Sequence, residues 1–336
     1  MRQSWKVLFL VFAMLLVAAA PALAQPPAET LVIYSGRSQD LIGPLLQQFS
    51  AETGINVEVR YGGTAEMAAT ILEEGANSPA DVYIAQDAGA LGALANAGLL
   101  RPLSSDVLER VGPEFRSPAG LWVGLSGRAR VLVYNTDMVS PDELPDSLLD
   151  LTDPVWNGRI GWAPTNGSFQ SHVTALRLLL GEDGAREWLE GIIANNPVQY
   201  ENNRAIVSAV IAGEVEVGLV NHYYLYGFLA QTPDAPAENH FFTGGDPGAL
   251  INIAGAAVLN TSSRPGLAER LLLYMLGNDA QQYFSDVTFE YPLAAGVVAN
   301  PALVPLNELE VPALDLSDLA DLEGTLNLLR EVGALP

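Results

Sequence analysis

Two adjacent phenols, Tyr223 and Tyr224, stand in the stretch Gly218-Leu-Val-Asn-His-Tyr-Tyr-Leu-Tyr226 of a 336-residue chain that has no cysteine and only three histidines. A phenol has a reference pKa of about 10 and stays neutral near pH 7 unless a strong Lewis acid displaces its proton. Fe(III) does that, because hard, highly charged cations prefer oxygen ligands as soft ones prefer thiolates. Two tyrosine rings more commonly pack in a core or line an apolar cleft. The dipeptide by itself leaves both readings open. The missing cysteines decide more, since they remove disulfide frameworks, thiol nucleophiles and thiolate metal sites. His172, His222 and His240 have none of the spacings of a zinc site. His222 directly precedes the pair and points away from it if the segment is extended, which makes it a supporting or surface residue.

The elements that must carry the pair alternate between strand and helix. Leu31 to Tyr34 is a short β-type run that stops at Ser35-Gly36-Arg37, and the helical spacing of Leu45, Leu46 and Phe49 follows until Gly54. Ile55 to Tyr61 alternates as a strand, Gly62-Gly63 breaks it, and Thr64 opens a helix running to Glu74. Asp81 to Ile84 predicts a third strand and Ala88 to Ala97 the next helix. Such alternation predicts a parallel sheet covered on both faces, with ligands beyond the carboxyl ends of its strands. Ser35 to Ser38, Tyr61 to Thr64 and Gln86-Asp87 then line one rim. Further along, Ala129 to Tyr134 and Arg159 to Trp162 read as strands, and Pro164-Thr-Asn-Gly-Ser168 leads into a helix over Gln170 to Leu180. Glu201 to Ala212 predicts another helix, and the strand Val215 to Val220 delivers Asn221, His222, Tyr223 and Tyr224 to a second rim. The loop before the Gln170 helix offers backbone N–H groups and the positive end of a dipole, which suits an anion and suits ordinary capping as well.

Arg2 and Lys6 precede the apolar run Val7 to Ala20, and Ala22-Leu-Ala24 supplies the small residues of a signal-peptidase site, so an export signal is expected over residues 1–24. The run is short for a membrane span of about 20 apolar residues, and without a cysteine no lipid is attached through a thiol. The product is expected to diffuse in a periplasm-like space with no membrane insertion. The formal charge of −23 becomes −25 once Arg2 and Lys6 are removed, a surface that repels nucleic acid and anionic headgroups. The remaining 312 residues exceed one ordinary core and predict two domains of about 150 residues each. Gly124-Leu-Ser-Gly127 lacks the Gly-x-Ser-x-Gly order of a nucleophile elbow, and there is no Gly-x-x-x-x-Gly-Lys phosphate loop. Neither a hydrolase nor an ATPase is expected.

Seven stretches together carry a resemblance: Tyr34-Ser-Gly-Arg37, Phe49-x-x-Glu-Thr-Gly-Ile-x-Val57, Glu73-Glu-Gly75 with Ser78-Pro-Ala-Asp-Val82, Gln86-Asp-Ala-Gly-Ala90, Ser126-Gly-Arg-Ala-Arg-Val131, Pro164-Thr-Asn-Gly-Ser168 and Asn221-His-Tyr-Tyr224. Over essentially the whole mature length the chain resembles the ferric-ion-binding periplasmic proteins of ABC importers. The resemblance implies an α/β fold, a two-lobed type II periplasmic binding protein whose lobes are mixed, mostly parallel sheets flanked by helices around an interlobe cleft. It implies an N-terminal lobe over residues 25–130 plus 255–303 and a C-terminal lobe over 131–254 plus 304–336. It implies Fe(III) as the transported ligand, Tyr223 and Tyr224 as phenolate ligands, and a synergistic carbonate, bicarbonate or phosphate. Asn166, Gly167, Ser168, Asn203 and Asn221 match the positions that hold this anion. ABC permease and ATPase subunits are the implied partners of a monomer.

The first rim departs from the family pattern. Ser38-Gln39 stands where a ligating histidine is often found, Gln86 where some members place a glutamate, and Phe169 where some relatives carry a third tyrosine. Fe(III) with two phenolates keeps a positive charge, which in a partly desolvated cleft favours further anionic oxygen ligands. One or two (bi)carbonates held by Arg37, Ser38, Arg128 and the loop N–H groups would supply them. Tyr61, at a strand end, is the candidate third phenolate, with packing beneath Gly62-Gly63 as its alternative. Asp87 reads more naturally as a helix cap, and Tyr226 as facing away. Strands near Ala129 to Tyr134 and Ala254 to Leu259 are the expected hinges, and Val311 to Leu335 has helical spacing. The alternative within binding proteins is a receptor for an oxyanion or small organic solute; an exported hydrolase is the competing class.

Overall fold

The apolar run Leu31 to Tyr34 lies within strand β1 (Thr30–Ser35), where Leu31 and Ile33 are wholly out of water. In the computed structural model, which describes residues 29–336, helix α1 (Gln39–Thr53) follows and turns Ile42, Leu45, Leu46 and Phe49 inward. It stops where Gly54 takes a φ of +71° and returns its N–H to the Ser50 carbonyl, a left-handed cap that glycine adopts without a Cβ clash. Strand β2 (Asn56–Tyr61), helix α2 (Thr64–Glu74), strand β3 (Val82–Ala85) and helices α3 (Ala88–Asn96) and α4 (Ser105–Leu108) complete this region. β1 pairs in parallel with both β2 and β3, the arrangement that strand-helix alternation demands. The expected signal segment at 1–24 lies outside the described residues.

The next strand, β4 (Val123–Asn135), has thirteen residues, all buried, and begins well before the expected Ala129. After it come β5 (Ile160–Trp162), α5 (Gly167–Ala194), β6 (Val198–Gln199), α6 (Asn203–Ile211), β7 (Val217–Asn221), α7 (Tyr223–Leu229) and β8 (Ala237–His240). The chain then returns through β9 (Ile251–Val258), α8 (Pro265–Met275), α9 (Asn278–Asp286), β10 (Tyr291–Pro292) and α10 (Leu322–Glu331). The strand order is β2-β1-β3-β9-β4-β7-β5-β6, with β8 and β10 also on β4. The outer pairs of both lobes are parallel, and the pairs made by β4 and β9 are antiparallel. This is a two-lobed mixed α/β fold.

β4 changes partner in mid-strand. Val123 to Ala129 pair with β9, whereas Arg130 to Tyr134 pair with β7. Leu132 and Tyr134 enter one core of the second lobe while Val131 and Val133 enter another on the opposite face, as the two-residue period of a strand requires. The returning crossing lies at Leu250 and Ile251, where Arg130 N–H bonds the Leu250 carbonyl, a few residues earlier than the expected 254 and 255. The C-terminal stretch is less helical than its spacing predicts. Only Leu322–Glu331 is α-helical and packs on α5, and Leu316–Ala320 is a 3₁₀ turn packed on α3. The segment after residue 303 thus serves both lobes: Leu303 and Leu309 join a second-lobe core, and Leu316 and Leu319 the first-lobe core. Among the described residues no helix is long and apolar enough to cross a membrane.

Gly218 shows how closely the second lobe is packed. A Cβ there would drive into Ile206 Cγ2, with Val133 Cγ1 at 3.3 Å on the other side. Gly218→Ala should therefore destabilise the protein by about 1–3 kcal/mol through overpacking, read as a lower denaturant midpoint with an unchanged m-value.

Candidate ligand-binding cleft

A cavity of about 400 Å³ opens between the lobes, and its walls come from loops at strand ends. Gly36, Ser38, Gly62, Gly63, Thr64, Gln86 and Asp87 form the first-lobe side; Thr165, Asn166, Gly167, Ser168, Glu201 and Tyr224 are on the other. Thr64 ties the first side together. Its Oγ1 donates to the Gly36 carbonyl at 3.2 Å and accepts the Gln86 N–H at 3.2 Å. Asp87 caps α3 by accepting the Ala90 N–H at 3.0 Å.

Tyr224 lines the cleft and Tyr223 lies buried beside it; both come from the first turn of α7, not from an extended strand end. Their rings stack with centroids 4.4 Å apart; Tyr223 is buried and Tyr224 half-buried. The helix also makes His222 a buried support and not a surface residue. With φ −54° and ψ −40° it turns inward and is fully buried, its Nδ1 accepting the Ala129 N–H at 3.1 Å and its ring stacked on Tyr291. Burial, opposed by the Glu290 charge, pushes this imidazole down to about 4, so it is neutral at pH 7. His172 and His240 bind the Pro247 and Pro145 carbonyls and lie off the cavity wall. Burial first, then the neighbouring Tyr224 and Glu290, raises the Tyr223 phenol well above its ordinary value of 10.0. Tyr223 is a neutral phenol until something stronger than a proton takes its oxygen.

The second-lobe polar residues form one network. Asn166 Oδ1 caps α5 through the Ser168 N–H at 3.1 Å and also accepts Asn203 Nδ2 at 2.9 Å. That cap starts the helix at Gly167, three residues before the expected Gln170, and Gly181 with φ +76° breaks it just past the expected end. Asn221 Nδ2 donates to Ser168 Oγ at 3.0 Å, and Asn203 Oδ1 accepts the Asn221 N–H at 2.8 Å. Arg130 joins them, its Nη1 donating to Asn203 Oδ1 at 3.2 Å and Asn221 Oδ1 at 3.1 Å. Sequence reasoning missed Arg130, although its two-residue spacing from Arg128 puts both on one face of β4.

Beneath the tyrosines lies a cluster of buried cations. All three guanidinium nitrogens of Arg128, and Nε and Nη2 of Arg130, are buried without a hydrogen-bond partner. Burial, and after it the Arg128 charge, pulls the Arg130 guanidinium down to about 9. Buried donors of this kind call for an anion, since a guanidinium out of water is stabilised by oxygen acceptors. The expectation for Arg37 needs correction. Its Nη1 and Nη2 bind Glu290 Oε1 and Oε2 at 2.8 and 2.5 Å, and Nη1 also reaches Ser126 Oγ at 3.2 Å. A cation with no exposure needs a counter-charge in contact, and Glu290 supplies it. Tyr61 needs correction too. It packs against the first-lobe core on the outer strand β2, beside Gly43 of α1, and is not on the cavity wall. Among the described residues no group of three or more histidine, cysteine, aspartate or glutamate side chains is placed to hold a metal ion.

The Arg37–Glu290 pair yields a stability test. Burial alone raises the Glu290 carboxyl, but the charge and hydrogen bonds of Arg37, with the Thr288 hydroxyl, outweigh it and hold the pKa below the ordinary 4.5. Its contribution is present above pH 4.5 and is lost as pH falls through the lowered value. Glu290→Gln should cost about 3–5 kcal/mol at pH 7 by leaving Arg37 unpaired. The variant should also show a shallower loss of stability than the parent on acidification below pH 4.5, measured by denaturant titration across pH.

Comparison with known proteins fits this architecture. The family described as "Bacterial extracellular solute-binding protein" matches residues 77–314. The chain is 34% identical over 310 residues to the Fe(3+)-binding periplasmic protein of Serratia marcescens, covering 91% of each. It is 34% identical over 322 residues to the major ferric iron-binding protein of Neisseria meningitidis, covering 95% of this chain and 97% of that one. The crystal structure of iron-bound HitA from Pseudomonas aeruginosa is similar with a TM-score of 0.88 and 39% identity, over 91% of this chain and 99% of that one. A Trichodesmium protein, IdiA or FutA, solved with iron and citrate ligands gives 0.78 and 32%, over 90% and 99%. The chain therefore belongs to the bacterial extracellular solute-binding proteins, a family of binding proteins and not of enzymes.

Proposed function

We propose that this chain is the exported substrate-binding component of an ABC importer, that it takes Fe(III) between its lobes through Tyr223 and Tyr224 together with an exogenous oxyanion, and that it delivers the metal to a membrane permease. One observation carries the reading: two stacked phenols at the cleft within the electrostatic reach of three buried arginines. Positive charge favours phenolate over phenol, and Fe(III) supplies the rest of the driving force by replacing the phenol proton. Similarity to relatives described as ferric iron-binding and periplasmic supports the metal and the compartment.

The anion follows from the same charges. Fe(III) and two phenolates leave one positive charge, and Arg128 and Arg130 add theirs; among the described residues no carboxylate hydrogen-bonds either guanidinium, and the nearby Asp87 is engaged in capping α3. An oxyanion bridging the metal and these arginines satisfies both, with Ser38, Ser168 and the Asn166–Gly167 helix start around it. Carbonate, bicarbonate and phosphate fit this chemistry, and so does citrate, which accompanies iron in the Trichodesmium structure. The signal segment at 1–24, a soluble monomeric product and partner permease and ATPase subunits complete the proposal.

Ferric salt added with bicarbonate should give the purified protein a visible phenolate-to-iron charge-transfer band, and Tyr223→Phe combined with Tyr224→Phe should abolish it. A colourless parent protein, or an unchanged band in the double variant, rejects the ferric reading. Arg128→Met should release iron to a competing chelator about tenfold faster, because a charge-assisted anion contact is lost. Titration from neutral to acid should bleach the band, since protons compete for the phenolates and for the anion.

A further inference from the structure

Among the described residues, the hydrogen bond that Tyr223 Oη makes comes from across the cleft. Gln86 Nε2 donates to it at 2.8 Å, linking the end of a first-lobe strand to the second-lobe tyrosine pair. The amide is well aimed. Gln86 directly follows β3, its own N–H is held by Thr64 Oγ1 at 3.2 Å, and the next residue, Asp87, caps α3. Asn252 Nδ2 makes a second bridge to Ser171 Oγ at 2.7 Å, so the lobes meet through paired polar contacts.

A carboxamide offers a donor and an acceptor at the two ends of one planar group. A neutral phenol is bonded by either end, its own O–H turning to suit. A phenolate that has given its proton to solvent and one lone pair to a metal is bonded only by a donor. A carboxylate at this position would offer lone pairs alone, suited to the metal itself and not to bonding the phenolate oxygen. The glutamine, already seated 2.8 Å from the Tyr223 oxygen, therefore supplies the donor that a metal-bound Tyr223 can use.

We propose that Gln86 is a positioning residue for ferric ligation: its Nε2–H donates across the cleft to the Tyr223 phenolate oxygen, which stabilises the ligated form and ties lobe closure to it. This rests on the ferric reading of the tyrosine pair. The hydrogen bond lowers the energy of the phenolate electrons, so it moves the phenolate-to-iron charge-transfer band to shorter wavelength. It also slows opening of the loaded cleft. Gln86 lines the cavity and is half-buried, so its substitution leaves the lobe cores untouched.

The test compares the iron-loaded parent with Gln86→Leu, close in size but without a donor, and Gln86→Asn, which keeps the amide on a side chain one methylene shorter. Both variants should show the band at longer wavelength and lose iron to a competing chelator about tenfold faster, the effect expected for one hydrogen bond to a charged group. A merely structural role would not move the band. A coloured parent with band position and release rate unchanged in both variants overturns the role of Gln86 alone. A parent that takes up no colour overturns the ferric reading and this inference with it.

Discussion

Every buried N–H and C=O of a strand has to be paired, and β4 meets that demand in two sheets at once. Val123 to Ala129 take their partners from β9 and Arg130 to Tyr134 from β7, so the change of lobe occurs between two consecutive residues of one unbroken strand. The consequence for the cleft is direct. Side chains on one face of β4 at this point, Ser126, Arg128 and Arg130, are buried where the lobes join, with both arginines in charge reach of the tyrosine pair, held by a backbone that belongs to both. The strand is at once scaffold and floor.

Charge under that floor is handled in two ways. Arg37 is neutralised within the protein by Glu290, with Ser126 and Thr288 completing the acceptor's contacts. Among the described residues Arg128 has no hydrogen-bond partner, only the charges of Asp87 and Glu290 within reach, and Arg130 has neutral amide oxygens. A fully bonded pair gives a fixed wall, whereas guanidinium groups with free N–H donors give a place that is stabilised by an incoming anion. The neutral histidine His222, packed flat on Tyr291, adds a rigid support behind Tyr223 without adding charge.

Much of the first lobe was legible because its signals are local. The Gly54 cap, the Gly62-Gly63 break and the Asp87 cap each act over a few residues, and they put Ser38, Thr64 and Gln86 on the rim as read. The loop Pro164–Ser168 was legible for the same reason. What failed was long-range or marginal. Glu290 lies 253 residues from Arg37, and no local pattern announces that pairing. Tyr61 reads as a rim residue from its strand end, but β2 is the outermost strand and its side chain falls back on α1. α7 spans only Tyr223–Leu229 and has no side-chain cap at His222, so an aromatic run after an apolar strand gave no helix signal. Arg130 was available in the two-residue spacing of β4 and was passed over for its neighbour.

The terminal segment places a length limit on the hinge. Leu309 is anchored in a second-lobe core and Leu314 packs against the first-lobe core, while the Glu310 carbonyl between them accepts the Gly245 N–H. Five residue steps of fully extended chain span at most about 17 Å. However freely β4 and β9 flex, the lobes can part along this edge only as far as that tether pays out while its two anchors hold. Any parting of the lobes beyond that point has to pull leucines from a core.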